Sequence, residues 1–244
     1  TEVRFVSELP PIQGIVDAGQ PGATETEAIW IERLETILEG LMRHNPAYLA
    51  ISYMSVGEDI QQLCRVERNP QTGWVRRAPH PQLVGFEIGE SDHDFSGMLP
   101  GDVILQTSDR IAENAPTSFR NATTVAAVSA TFDEASGELF GFVAAQLDLQ
   151  EVIGQRMKSI GDDVSVFLTD HNGIIQSHFV GGERSEVDVG QNIRQVIPRM
   201  QDIFGDSKRR TSSDGSSFYA AHVLLGGQVA ISTAEVGVVV RINN

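Results

Sequence analysis

The sequence predicts an α+β fold in which helices precede two similar antiparallel sheets. Residues 48–68 have the pattern of two apolar strands joined by a tight turn at residues 56–59, and clusters of Gly, Asn and Asp between such runs are the local signal for a hairpin. Residues 163–181 repeat this plan around a turn at residues 170–173. Three more strand-like runs follow each hairpin, so we expect a duplicated sheet domain.

The composition excludes several classes of partner. The 244-residue chain has a formal net charge of −15 at pH 7, whereas nucleic acids and anionic membrane surfaces are bound mainly by clustered Lys and Arg. No apolar run reaches the ~18–20 residues that span a bilayer, and the N-terminus lacks a signal-peptide pattern. Because the sequence begins in a helix-like run and ends in a strand-like run, we expect a soluble piece of a longer protein.

Helices are predicted before the first sheet. Residues 3–9 can form one or two helical turns, which the two prolines after them should end or kink. Thr24 and Glu27 match a capping box. Apolar residues then recur at helical spacing, namely Trp30, Leu34, Ile37, Leu38 and Leu41. Asn45 and Pro46 should end this helix directly before the first strand.

The first sheet should continue beyond the hairpin. Strands are predicted over residues 102–107, 123–132 and 138–148, with connections short enough for an antiparallel meander. Between the hairpin and these strands, residues 69–100 are irregular and rich in Gly, Pro and charged residues. Such a long irregular stretch inside a compact domain is usually functional, so we expect a ligand-binding loop there.

A connecting helix and a second, smaller sheet are predicted after the first. Asp148 and Glu151 repeat the capping-box pattern before a helix that should end near Gly161. The later elements are a helix over 193–204 and strands over 217–225, 228–232 and 237–242. We therefore expect an N-terminal helical region (1–46), a first sheet domain with its connecting helix (47–161) and a smaller second sheet domain (162–244).

Motifs for catalysis, metals or cofactors are not evident. The sequence contains no G-x-S-x-G elbow, P-loop or G-x-G-x-x-G motif, and its six histidines show no paired metal-ligand spacing. The single cysteine, Cys64, is expected to be a small buried hydrophobic residue on a strand. Asp92 and Asp94 around His93 could form an acid–base pair, but polar loop residues are more often solvated turn formers. We predict no catalytic residue, no metal and no cofactor.

Five segments carry a family resemblance: FVSELPPIQGIVDA, WIERLETILEGLMRHNPAYLAISYM, LCRVER, DHDFSGMLPGDVILQTSDR and SATFDEASGELFGFVAAQLDL. Together they resemble the extracytoplasmic double-Cache sensor regions of bacterial membrane-bound receptors, also called tandem PAS-like or PDC domains. The resemblance implies a long N-terminal helix rising from a membrane, a membrane-distal PAS-like domain and a membrane-proximal smaller one. It also implies flanking transmembrane helices, a homodimer through the N-terminal helices, a periplasmic or extracellular location, and a cytoplasmic histidine kinase or diguanylate cyclase output.

Binding in such a domain needs an apolar pocket with a few oriented polar groups. Tyr53 could present its hydroxyl at the pocket rim, and Arg65, which faces opposite to Cys64, could pair bidentately with a ligand carboxylate. The complete set of ligand-site candidates is Tyr53, Arg65, Asp92, His93, Phe95, Thr107 and Asp109. Asp170 and His222 are the weaker counterparts in the second domain.

The predicted function is that of a signal-sensing domain, which binds an unidentified small molecule in the distal domain and passes the signal across the membrane. An alternative is a protein-interaction module with a degenerate pocket that recognises a periplasmic partner. One observation supports this alternative: amino-acid-binding members of the family carry a Trp-Tyr pair where this chain has DHDFSG. An enzyme would require convergent ionisable groups in a cleft, which the sequence does not offer.

Overall fold

The computed structural model describes residues 2–56, 60–69, 71–79, 98–107, 124–158, 161–169, 173–197, 210–211, 217–224 and 235–242. The chain forms two compact units, one from Thr1–Asp148 and the other from Leu149–Gly226 with Ser232–Asn244. Among the described residues, each unit contains a six-stranded antiparallel sheet. The predicted α+β fold with two successive sheets is confirmed.

Three helices begin the first unit: α1 (Glu2–Ser7), α2 (Pro10–Ala18) and α3 (Glu27–His44). Helix α1 ends before the two prolines, as predicted, and the prolines themselves begin α2. Proline is tolerated in the first helical turn, where its missing N–H would have no partner within the helix. The prediction of a capping box at Thr24 is wrong, since Thr26 occupies the N-cap of α3 and makes no side-chain cap hydrogen bond. Asn45 is the C-cap, as expected.

The first sheet is built from strands that mostly match the prediction. They are β1 (Tyr48–Val56), β2 (Ile60–Arg68), β3 (Val75–Arg77), β4 (Val103–Thr107), β5 (Thr124–Phe132) and β6 (Leu139–Asp148). Their order across the sheet is β3-β2-β1-β6-β5-β4. Strand β3 was not predicted, because three residues are too few to show an alternating pattern.

The second unit repeats this topology. Its elements are α4 (Leu149–Met157), β7 (Val164–Thr169), β8 (Ile175–Val180), β9 (Glu183–Ser185), α5 (Ile193–Val196), β10 (Arg210–Thr211), β11 (Ser217–Leu224) and β12 (Glu235–Ile242). The order β10-β11-β12-β7-β8-β9 is that of the first sheet: in each unit the first strand pairs with the second and the last, and the third strand lies at an edge. The short strands β9 and β10 were not predicted. The predicted strand over 228–232 and the predicted helix beyond residue 197 lie outside the described residues.

The two faces of the first sheet have different environments. One side, which we call the helix face, packs with α1–α3 into a core that includes Leu34, Leu38 and Met42 from α3. Sheet residues in this core include Ile51, Tyr53, Cys64, Val66, Val143 and Ala145. The other side, which we call the far face, has its own apolar cluster with Met54, Ile104, Val128, Ala130, Phe142 and Ala144.

The division between the units falls after Asp148, so α4 is counted with the second unit. The boundaries at residues 46 and 161 remain predictions. None of the described helices combines the length and apolarity needed for a membrane span.

Candidate functional site

Strand pairing separates the two strongest site candidates. Tyr53 pairs with Cys64 and Ser52 pairs with Arg65. Because successive side chains in a strand point to opposite faces, Tyr53 belongs to the helix face and Arg65 to the far face. The structure therefore does not bring these two side chains together.

Tyr53 is a core residue of the helix face. It is fully buried among apolar side chains, and its hydroxyl oxygen lies 3.4 Å from Thr131 Oγ1. Burial raises the pKa of the Tyr53 phenol well above its usual range. The predicted place at a pocket rim does not agree with this environment. Cys64 is buried beside it, and burial raises the pKa of its thiol to about 12, so its predicted role as a small hydrophobic residue fits its position.

Arg65 lies at the centre of an ion-pair network on the far face. Its Nε donates to Glu67 Oε2 at 3.2 Å, and its Nη2 lies 3.5 Å from Gln146 Oε1. The side chains of Arg65 and Glu67 are 15% and 16% exposed. Glu67 Oε1 also accepts two hydrogen bonds from Arg76, at 3.0 and 2.7 Å. One carboxylate thus lies between two guanidinium groups, and the three side chains together carry a formal charge of +1.

A β-bulge adds a further polar residue to this face. The register shifts after Tyr53, so that Met54 pairs with Gln62, and the shift places Gln62 on the far face although it is an even-numbered residue like Cys64. Gln62 Nε2 donates to Ser52 Oγ at 2.7 Å. Its Oε1 is buried and makes no hydrogen bond within the described part of the chain. We call Ser52, Gln62, Arg65, Glu67 and Gln146 the far-face polar cluster.

Small residues surround the far-face polar cluster. Ala50 and Ala126 flank Gln146 in the pairing of β1, β6 and β5, and Ala144 pairs with Ser52. All three alanines are buried. Their short side chains extend less far from the sheet than the longer polar side chains of the cluster.

The far-face polar cluster has the chemistry of an anion-recognition site. Among its hydrogen bonds to described residues, Arg65 uses Nε and Nη2 and leaves the Nη1 hydrogens without a partner. A half-buried guanidinium forms strong, oriented hydrogen bonds with carboxylates. Gln62, Gln146 and Ser52 add groups that can both donate and accept.

Most of the other predicted site residues lie outside the described part of the chain: Asp92, His93, Phe95, Asp109 and Asp170. Thr107 is the last residue of β4 and pairs with Val125. His222 is in β11 and pairs with Gly237. Gln62, Glu67 and Gln146 were not predicted from the sequence. Glu67 could have been identified, because it alternates with Arg65 along β2. Within the described residues, no group of three or more His, Cys, Asp or Glu side chains could hold a metal ion.

Solved structures share this fold. The chain aligns over 98% of its length with 84% of the extracellular domain of a histidine kinase, at 9% identity and a TM-score of 0.61. It aligns over 99% of its length with 86% of a domain of a sensory box/GGDEF family protein from Vibrio parahaemolyticus, at 8% identity and a TM-score of 0.58. An extracellular ligand binding receptor from Desulfohalobium retbaense aligns at 11% identity and a TM-score of 0.51, with 99% of this chain covering 37% of that longer one.

No protein-family model matches the sequence, and comparison with curated proteins finds no match. At these low identities the structural similarity concerns the fold. The tandem-sheet fold expected from the double-Cache resemblance is confirmed over nearly the whole chain.

Proposed function

We propose that this chain is the extracytoplasmic sensor region of a bacterial membrane receptor, and that its first unit binds a small molecule with a carboxylate group on the far face. The single observation that carries the proposal is the state of the half-buried Arg65. Its Nε and Nη2 contact Glu67 and Gln146, and its Nη1 hydrogens make no hydrogen bond to a residue that the structure describes. The similarity in fold to an extracellular histidine kinase domain and to a sensory box/GGDEF protein domain supports the sensor role.

The remaining parts of the proposal concern the whole receptor. Flanking transmembrane helices would anchor the region, which would lie on the outer side of the inner membrane, and a histidine kinase or a diguanylate cyclase would be the output. The region would act as a homodimer through its N-terminal helices and would itself have no catalytic activity. We also propose that Asp92, His93, Phe95, Thr107 and Asp109 contribute to the ligand site, whereas Tyr53 belongs to the core behind it.

A ligand screen with one substitution tests the binding proposal. The 244-residue chain is screened by thermal shift against amino acids and small mono- and dicarboxylates, and each hit is titrated by calorimetry. We expect at least one carboxylate to raise the Tm by mass action. Replacing Arg65→Gln should weaken its binding about ten-fold or more, because a hydrogen bond to a charged group is lost from a half-buried site.

Arg43→Gln is the matched control. Arg43 is also an arginine paired with a glutamate, but its side chain is 62% exposed and its ion pair with Glu39 lies on the surface of α3. This variant should bind as the unmodified chain does. The binding proposal is wrong if no carboxylate changes the Tm, or if Arg65→Gln binds the hit as tightly as Arg43→Gln. The first of these outcomes would favour a protein-interaction module.

A further inference from the structure

A buried histidine with an unpaired ring nitrogen lies in the second sheet. His178 of β8 is 6% exposed and pairs with Phe167 of β7. The two rings stack with their centroids 4.1 Å apart and an interplanar angle of 15°. His178 Nδ1 lies 2.9 Å from the carbonyl oxygen of Val187, and because a carbonyl only accepts, Nδ1 carries the hydrogen. In the neutral ring, Nε2 is then a hydrogen-bond acceptor.

No described residue is a partner for this acceptor. Nε2 is buried and makes no hydrogen bond to any residue that the structure describes. Buried polar atoms of native proteins are nearly always hydrogen-bonded to protein, water or ligand. The stacking with Phe167 and the bond to Val187 hold the ring in place, so Nε2 is fixed and cannot turn to find a donor.

A second unpaired group lies on the same face. Thr169 is two residues from Phe167 on β7 and therefore shares its face, and it is 1% exposed. Its Oγ1 is buried without a hydrogen bond to a described residue. Because His178 pairs with Phe167, Thr169 is the diagonal neighbour of His178. Two buried polar groups thus share this face as diagonal neighbours, together with the apolar residues Ile175, Ile193 and Val239.

A carboxylate lies near the other ring nitrogen of His178. Asp188 Oδ2 lies 4.0 Å from His178 Nδ1, and Asp188 is held in the left-handed backbone region with φ of 70° by a turn in which Gln191 N donates to its carbonyl oxygen at 3.1 Å. Arg241, which is on the same face, is on β12, two strands from β8, and pairs with Ser165. Nε2 can only accept, a threonine hydroxyl can accept, and a carboxylate only accepts. Such a set of acceptors suits a cationic donor.

We propose that the second unit contains its own binding site for a primary ammonium group, in which His178 Nε2 and Thr169 Oγ1 accept two of the ammonium hydrogens and Asp188 contributes a favourable negative potential. This site is separate from the far-face polar cluster of the first unit and does not depend on the function proposed for that cluster. The ligand class is a small primary amine or a diamine in its protonated form.

The test follows the imidazole of His178 directly. The ¹⁵N resonances of the histidine rings are recorded by NMR for the 244-residue chain, and those of His178 are assigned from their loss in His178→Phe, which keeps an aromatic ring for stacking on Phe167. Methylammonium and 1,4-diaminobutane are added as probes. Tetramethylammonium is the control for methylammonium, because it has the same charge of +1 but no N–H donor.

We expect methylammonium and 1,4-diaminobutane to shift the Nε2 resonance in a saturable way, and tetramethylammonium to have no effect. Thr169→Val, which keeps the shape of the side chain and removes the hydroxyl, should weaken the binding of both amines about ten-fold, as expected for a lost hydrogen bond to a charged group. Arg43→Gln, on the surface of α3 in the first unit, should bind both amines as the unmodified chain does.

Three results would overturn the proposal. The amines could leave the Nε2 resonance unchanged, tetramethylammonium could shift it equally, or Thr169→Val could bind the amines as tightly as the unmodified chain. The first result would assign the two polar atoms to internal water only. Because Thr169→Val preserves the packing volume, the amine affinities of this variant and of the unmodified chain, measured by calorimetry, decide the proposal even if His178→Phe does not fold.

Discussion

Arg65 and Cys64 are adjacent in the sequence, yet their environments differ completely. Alternation along β2 predicts that they face opposite sides, and the structure agrees. It cannot tell which side packs against the helices, because that depends on contacts between residues far apart in the sequence. The interpretation of Tyr53 as a pocket residue does not fit its place in the structure, where it pairs with Cys64 and shares its core.

Gln62 shows a second limit at the residue scale. Its position along β2 suggests the face of Cys64, but the bulge after Tyr53 moves it to the far face. A bulge of this kind depends on pairing between strands and has no signature in the local pattern of apolar residues. The polar residues of the candidate site could therefore be identified only in part from the sequence.

Replacing Tyr53→Phe tests the assignment of Tyr53 to the core. The hydroxyl makes a long contact with Thr131, 3.4 Å between the oxygens, so its loss should reduce the free energy of unfolding by no more than ~1.5 kcal/mol. Carboxylate affinity should not change, because the side chain is on the helix face. Denaturant unfolding and calorimetry measure the two effects. A ten-fold loss of affinity with unchanged stability would place the hydroxyl in the ligand site instead.

At the scale of elements, the short edge strand β3 connects the far-face polar cluster with α3. Arg76 donates to Glu67 of the cluster. The next residue, Arg77, reaches the other side of the sheet and donates to Glu35 at 3.2 Å and to Glu39 at 3.3 Å. These two glutamates are one helical turn apart on α3. A ligand that displaces Glu67 from Arg65 would therefore move a strand that is also attached to the helix.

We expect Arg77→Gln to separate ligand binding from its effect on α3. Carboxylate affinity should stay within about two-fold, because Arg77 is not part of the far-face polar cluster, and stability should fall by only ~0–1 kcal/mol for these partly exposed ion pairs. Hydrogen exchange of the α3 amides, measured with and without ligand, should lose its ligand dependence. Arg33→Gln, which removes the ion pair of α3 with Glu25 and leaves Glu35 and Glu39 in place, should keep that dependence. Equal ligand effects in both variants would contradict a path through β3.

The packing of α2 on α3 gives a prediction that does not depend on a ligand. A Cβ at Gly14 in α2 would overlap the indole ring of Trp30, whereas a Cβ at Gly40 in α3 meets no atom within 4 Å. Alanine is favoured over glycine in a helix interior by ~1 kcal/mol, so Gly40→Ala should stabilise the protein. Gly14→Ala gains the same preference but must overpack the contact, which typically costs ~1–3 kcal/mol, so it should be neutral or destabilising. Urea unfolding of the two variants measures the difference, and equal stabilisation would show that the helices can separate freely at this contact.

At the scale of the whole molecule, the duplication was predictable and the closure of each sheet was not. The two hairpins have local turn signals, and the strands that follow have lengths and compositions that a sequence pattern can show. The pairing of β1 with β6 and of β7 with β12 joins residues far apart in the chain, so no local pattern predicts it. The edge strands β3, β9 and β10 are two or three residues long and form because neighbouring strands offer hydrogen bonds, whatever their own sequence prefers.

The two sheets have the same strand order but carry different polar groups. Each unit has its own core and its own sheet face with partly unpaired polar groups: the far-face polar cluster in the first, and His178 with Thr169 in the second. The two sites differ in charge, because the first is centred on an arginine and the second on acceptors. We therefore expect the two units to take ligands of different chemistry.

The central claim is that the far face of the first sheet binds a carboxylate ligand. Its most direct test is a crystal structure of the chain with the tightest-binding carboxylate from the thermal-shift screen. We expect the ligand on the far face, with a carboxylate oxygen at ~2.7–2.9 Å from the guanidinium of Arg65, the distance typical of charge-assisted hydrogen bonds. A ligand bound elsewhere on the chain, with the Arg65–Glu67 pair unchanged, would contradict it.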